Sequence, residues 1–261
     1  MQCSRFLVSG FCGVAGLMGV LLPVLAADQT VRPGSFYMSK NLQALQADDI
    51  ANPGMLWVSD GESLWKQPVG RTQKSCASCH DAADVTMKGV AARYPAVDAE
   101  SGELFNLEKR INTCRTRHQG AEALAYETDE LLALTAYVAH QSRGERVKVH
   151  IDGPAAPFYE AGRKRFYTRV GQLNLSCAQC HEANAGRRLR GDTISDGVGS
   201  GWPAYRLEWQ TLGSLHRRLR ACSLGVRARQ FDFGSPEYLS LELYLAKRAE
   251  GVRVEAPAVR R

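Results

Sequence analysis

The chain has 261 residues, 44% hydrophobic and 23% charged, with 33 basic against 27 acidic side chains and a formal net charge of +6. These are globular values, and they exclude a disordered tail, a fibre and a multi-span membrane protein. The mild basicity suits an anionic substrate or an acidic protein partner as well as it suits nucleic acid.

Arg5 is followed by an apolar run from Phe6 to Leu25, and no acidic residue precedes Asp28. Val24-Leu25-Ala26 places small residues before a cleavage point, so residues 1–26 read as a secretory signal peptide, cut after Ala26 or Ala27. An uncleaved anchor is the alternative, disfavoured by Gly10, Gly13, Gly16, Gly19 and Pro23 within the run. No later stretch approaches the roughly 20 apolar residues that span a bilayer, so no membrane span is expected once the signal is removed. Residues 27–58 have no counterpart later in the chain and are expected to wrap a domain or contact a partner.

Cys3 and Cys12 belong to the signal, leaving Cys76, Cys79, Cys114, Cys177, Cys180 and Cys222. Four of these lie in two matching strings, SCASCHDA at 75–82 and SCAQCHEA at 176–183, each containing Cys-x-x-Cys-His. On one helical turn that spacing lets two thiols add to the vinyl groups of a haem while the adjacent histidine binds the iron. A single string would also fit a redox dithiol or half a zinc site. Two in one exported chain point to two covalently bound haems c, held by Cys76 and Cys79 with His80, and by Cys177 and Cys180 with His181.

The similarity of the two halves extends beyond these strings. Gly61 to Trp65 and Gly162 to Phe166 stand at an offset of 101, as do Val69-Gly70 and Val170-Gly171. Tyr94-Pro95-Ala96 and Trp202-Pro203-Ala204 stand at 108, as do the stretches Arg110–Cys114 and Arg218–Cys222. Glu130–Tyr137 and Glu237–Tyr244 follow at 107. The expected architecture is all-α: two tandem cytochrome c-like domains, 59–150 and 151–261, each with a helix before its haem string, a loop and a closing amphipathic helix. Leu131, Leu132, Leu134 and Val138 have helical spacing, and the repeat argues for helix at Leu239, Leu241, Leu243 and Leu245, where the pattern alternates. Asp152-Gly153-Pro154 and Pro157 mark a linker. The change of offset places about seven extra residues between His181 and Trp202. This stretch is Gly-rich and carries Arg187, Arg188 and Arg190.

A compact cytochrome c haem commonly takes methionine as its sixth ligand. No methionine follows Met87, so the second half has none. Its candidates are His216 and Cys222; those of the first half are Cys114, His118 and Met87. Only the cysteines occupy equivalent repeat positions, and they are preferred over a Cys114–Cys222 disulfide because a ligand lies beside its own haem and away from its twin. Thiolate is an anionic donor that stabilises ferric iron and lowers the potential, and it also supplies a nucleophile for sulfur chemistry.

With both Cys-x-x-Cys-His strings, Cys114, Cys222 and the string HRRLRACS at 216–223, nearly the whole mature chain resembles the SoxA family, the dihaem subunits of the SoxAX cytochromes of bacterial sulfur oxidation. The resemblance implies an L-cysteine S-thiosulfotransferase of the periplasm. Such an enzyme joins thiosulfate to a cysteine of the carrier SoxYZ and passes two electrons to an acceptor cytochrome c. It implies a heterodimer with a SoxX-like monohaem cytochrome c and no nucleic-acid partner. It implies Cys114 and Cys222 as iron ligands, Cys222 as the catalytic cysteine that carries a persulfide, and Arg218 as the substrate-binding residue. The alternatives are a thiosulfate dehydrogenase making tetrathionate, in whose family one haem uses methionine, and a pure electron-transfer dihaem cytochrome. The residues add their own argument: on a helix Arg218 lies one turn before Cys222 and shares its face. There its guanidinium could hold a sulfonate and favour the thiolate.

Overall fold

A computed structural model describes residues 31–261. The signal peptide assigned to 1–26, and the start of the extension, lie outside the described residues. Among the described residues no helix is long and apolar enough to cross a membrane.

Two pairs of crossed helices organise the chain. In the first half α2 (Met55–Lys66) packs on α6 (Asp129–His140), and in the second α7 (Ala156–Tyr167) packs on α10 (Pro236–Arg248). Short helices lie around them: α1 (Lys40–Ala47), α3 (Ala77–His80), α4 (Ala83–Thr86), α5 (Leu107–Cys114), α8 (Cys177–His181) and α9 (Leu215–Gly225). The closing helices begin where the side chains dictate. Thr128 accepts the Leu131 N–H at the start of α6, and Ser235 accepts the Tyr238 N–H at the start of α10. Acidic residues follow in each first turn and His140 or Lys247 and Arg248 stand in the last, matching the helix dipole. Leu239, Leu241, Leu243 and Leu245 are all buried although they alternate, because α10 is covered on most of its circumference.

Both crossings depend on glycine. A Cβ on Gly61 would stand 2.2 Å from the Ala133 carbonyl oxygen, and one on Gly162 would stand 2.0 Å from that of Ser240. Backbone cannot yield as a flexible side chain can. Gly162→Ala is therefore expected to destabilise the protein by about 3 kcal/mol, lowering the thermal midpoint by roughly 6–12 °C in a chain of this size. A calorimetric scan measures this.

The fold is mainly helical, as expected of a cytochrome c domain, with short strands that the expectation did not include. Seven short strands are present among the described residues: β1 (Ala96–Val97), β2 (Leu104–Phe105), β3 (Arg188–Leu189), β4 (Asp192–Thr193), β5 (Ala204–Arg206), β6 (Thr211–Gly213) and β7 (Ala258–Arg260). The first four form two hairpins; β5 lies between antiparallel β6 and parallel β7, with Ala204 opposite both Gly213 and Ala258. Segments of two or three residues carry no readable alternation, which is why the sequence concealed them.

The chain after α6 and the chain after α10 hydrogen-bond to one another, Gly144 and Val147 donating to Val254 and Val252. One apolar cluster accordingly joins Trp65 and Val138 to Ala249, Val254 and Ala256. Part of the stretch before α2 lies against the far end of the chain. Asn52 donates to the Pro257 carbonyl at 3.0 Å, and Gln46 accepts the Val259 N–H at 3.2 Å. Pro157 stands in the first turn of α7, a position that needs no N–H, so the break expected there is a helix start.

Candidate haem and sulfur-transfer site

Each Cys-x-x-Cys-His string is wound into a single helical turn. In the first, the Cys79 and His80 N–H groups both donate to the Cys76 carbonyl, at 3.1 and 3.0 Å. The Trp65 ring lies 5.7 Å from that of His80, and its indole N–H donates to the Asp81 carbonyl at 3.1 Å. In the second, Ser176 and Gln179 form a reciprocal cap that starts α8. His181 Nδ1 donates to the Ser195 carbonyl at 2.7 Å, which leaves Nε2 with the free lone pair an iron requires. The chain can pass this close because of Gly197, where a Cβ would meet His181 Cγ at 2.6 Å. The extra residues of the second half thus form the exposed β3–β4 hairpin and return to hold the histidine. Burial, and next the charge of Arg218, keep His181 below its ordinary pKa, with the bond to Ser195 opposing them. Neutral imidazole is the form that binds metal.

Cys114 ends α5, and Cys222 stands exposed in the last turns of α9. Burial, and then the nearby Cys114, push the Cys76 thiol up; burial raises Cys114 as well, with Arg110 pulling it down and Cys79 raising it. In the second half the Cys177 thiol is pushed up to about 11 by burial and then by Cys222, and Cys180 is raised by the same two causes. Each solitary cysteine therefore stands beside the string of its own half. Among the described residues all six cysteines are unbridged, Cys114 and Cys222 included. Met87 packs against the Trp65 cluster, and His118 is exposed.

His216, a candidate ligand in the sequence, is engaged elsewhere. Its Nδ1 accepts the Gly234 N–H at 3.0 Å and its Nε2 lies 3.0 Å from the Glu242 carboxylate. Its ring stacks on Tyr126. Beside it lies Glu108, which has the corresponding place in the first half, since each precedes its cysteine by six residues. The Glu108 carboxyl is pushed up to about 7 by burial and then by Glu242, against the pull of His216. A carboxyl raised in the folded state stabilises the fold below its unfolded pKa and loses that contribution as pH rises through the folded value. Glu108→Gln is thus expected to be more stable than the parent at pH 8, by on the order of 2 kcal/mol. The difference should vanish towards pH 4.5, and denaturant unfolding at the two pH values measures it.

The arginines around Cys222 have different partners. Arg217 lies 3.8 Å from Glu127 and 4.3 Å from the centroid of the Trp209 ring, and Arg220 donates to the Phe231 carbonyl. Arg218 lies one turn before Cys222 on α9 and, among the described residues, no carboxylate is within ion-pair distance of it. Its first-half equivalent Arg110 is closed off, donating to Asp98 at 2.8 Å and to the Tyr94 hydroxyl at 3.0 Å. Ser101 and Arg110 hold the Asp98 carboxyl well below the usual carboxylate range. Sequence reasoning missed Asp98, Ser195 and the Glu108–His216 pair. The first and last could have been found by extending the repeat alignment; a backbone carbonyl has no sequence signal.

The second string fits a covalently attached haem on the structure's own terms: two unbridged thiols on one turn and a neutral imidazole with one nitrogen anchored and the other free. A mainly helical scaffold with these turns defines a c-type cytochrome, and the protein carries covalently bound haem c. A family model described as SoxA/TsdA, cytochrome c domain, matches residues 60–147. The chain belongs to the SoxA family. It is 42% identical over 230 residues to the L-cysteine S-thiosulfotransferase subunit SoxA of Rhodovulum sulfidophilum, covering 88% of this chain and 80% of the relative. It is 39% identical over 240 residues to that of Paracoccus pantotrophus, covering 91% and 82%. A crystal structure of SoxXA from P. pantotrophus superposes with a TM-score of 0.85 at 38% identity, covering 88% of this chain and 87% of the other.

Proposed function

We propose that the protein works in thiosulfate oxidation in the periplasm, as the haem-bearing subunit of an L-cysteine S-thiosulfotransferase. It joins thiosulfate to a cysteine of a SoxYZ carrier and passes two electrons through haem to a cytochrome c. Its partner is a SoxX-like monohaem cytochrome c, in a heterodimer. The names of its relatives and the likeness to a SoxXA complex support this reading.

The chain is read as two cytochrome c-like domains in tandem with two haems c. The paired glycine crossings and the two Cys-x-x-Cys-His turns support this. Cys76 and Cys79 carry the first haem, with His80 and Cys114 on its iron. Cys177 and Cys180 carry the second, with His181 and Cys222 on its iron. Bound haem supplies the one-electron acceptor that sulfur oxidation needs.

Cys222 does the chemistry. Its sulfur bonds to the sulfane sulfur of thiosulfate, giving Cys222–S–S–SO3⁻ and releasing two electrons. A carrier thiolate then attacks the sulfane sulfur, breaking the bond to Cys222 and freeing its thiolate. The carrier thiol's proton goes to solvent. Arg218 binds the sulfonate end and offsets the repulsion between the dianion and the thiolate. The observation that carries the reading is an exposed cysteine one helical turn from an arginine that has no acidic partner among the described residues, beside the second string. Purified protein is expected to give two haems c per chain by pyridine haemochrome. With its partner cytochrome, an oxidised acceptor and thiosulfate, it should add the mass of one thiosulfate to the carrier cysteine. Tetrathionate as the product, or acceptor reduction without carrier modification, overturns it.

A further inference from the structure

Counted at the offset of 108 that pairs Arg110 with Arg218, the residue opposite Asp98 is Arg206. Where the first half sets a carboxylate against its arginine, the second half sets another guanidinium. Arg206 ends β5, and its side chain is only 6% exposed. Its Nη2 donates to Glu208 at 2.7 Å, and its guanidinium carbon lies 5.0 Å from the centroid of the Trp209 ring. Its Nε is buried and has no hydrogen-bond partner among the described residues. Glu208 is largely exposed, so its charge is spent mostly on solvent. Burial, and next the charge of Arg218, push the Arg206 pKa down.

In the first half the Asp98 carboxylate and the Arg110 guanidinium are 2.8 Å apart, so the matching places of the second half bring two guanidinium groups together. A buried donor without an acceptor and like charges in a low-dielectric setting both cost free energy, and one oxyanion between them would relieve both. Planar forked donors suit carboxylate and sulfonate oxygens alike. Neither condition exists in the first half, where Asp98 already takes Arg110 and also lies 3.5 Å from Arg117.

We propose that Arg206 and Arg218 together form an oxyanion site peculiar to the second half, in which the Arg206 Nε is the buried donor. The oxyanion is the sulfonate of thiosulfate or a carboxylate of the second haem. For the first source the inference rests on the reading of Arg218 given above. In that case Arg206 is a further substrate-binding residue; in the second it positions the haem and sets its potential.

The test uses the full chain isolated with its haems and compares the parent, Arg206→Gln, Arg206→Lys and Arg218→Ala. It reads the thiosulfate dissociation constant by optical titration of the oxidised protein, and the midpoint potential of the second haem by spectroelectrochemistry. If thiosulfate is the anion, Arg206→Gln weakens its binding about tenfold or more at an unchanged potential, and Arg206→Lys recovers part of the loss. If a haem carboxylate is the anion, the potential falls, because a lost positive charge favours ferric iron, and thiosulfate binding stays as it was. A folded Arg206→Gln protein with both parental values overturns the inference. If Arg218→Ala still loses thiosulfate binding in that event, the proposed function stands without it. Should Arg206→Gln fail to fold, Arg206→Met carries the same comparison, since it also removes the charge and the donors while filling the buried space.

Discussion

Replacing Cys222 by alanine is expected to abolish transfer of thiosulfate to the carrier cysteine while both haems stay attached. On the proposed reading the thioether bonds of the second haem come from Cys177 and Cys180, and His181 is held by the Ser195 carbonyl. None of these contacts passes through Cys222, which is exposed on α9. Without its sulfur there is no atom to accept the sulfane sulfur, so the covalent route is lost rather than slowed. The measurement is the intact mass of the carrier after incubation with thiosulfate and oxidised acceptor, alongside haem content. Parental transfer by Cys222→Ala would leave the cysteine with the role of an iron ligand alone, and the protein with that of an electron carrier.

Arg218→Ala is expected to slow turnover about 30–1000-fold, equivalent to roughly 2–4 kcal/mol of lost charge-assisted stabilisation of the bound dianion and transition state. The fold should survive, because Arg218 makes no ion pair that the variant would break among the described residues. Arg110 differs: its loss would leave the buried Asp98 carboxylate with only Ser101 and the longer pair to Arg117. Arg218→Lys should keep part of the activity, since charge remains where the fork is lost. Steady-state kinetics at two ionic strengths check this, and parental kinetics for Arg218→Ala would remove the arginine from substrate binding.

The Cys-x-x-Cys-His turns were legible because their chemistry is local: three residues on one helical turn need no other part of the chain to be brought together. Gly61 and Gly162 were legible as a repeat, but not as the reason for it. Only the crossing of α2 with α6, and of α7 with α10, shows a carbonyl occupying the space of the missing Cβ. His216 illustrates the opposite case. As a residue type it was a fair candidate ligand, and the fold spends both its nitrogens on Gly234 and Glu242.

By itself the sequence determined the haem strings, the repeat, the closing helices and the pairing of Cys222 with Arg218 one turn earlier, because each depends on spacing along a single element. Tertiary structure alone decided which arginines remain without an acid partner and which carbonyl orients His181. It also decided that Gln46 and Asn52 bond to the C-terminal segment and that Glu108 and His216 share one buried cluster. Those outcomes depend on burial and on charges brought together from segments a hundred residues apart. Neither the cost of an unpaired buried charge nor the partner that relieves it is written in any one stretch of the chain.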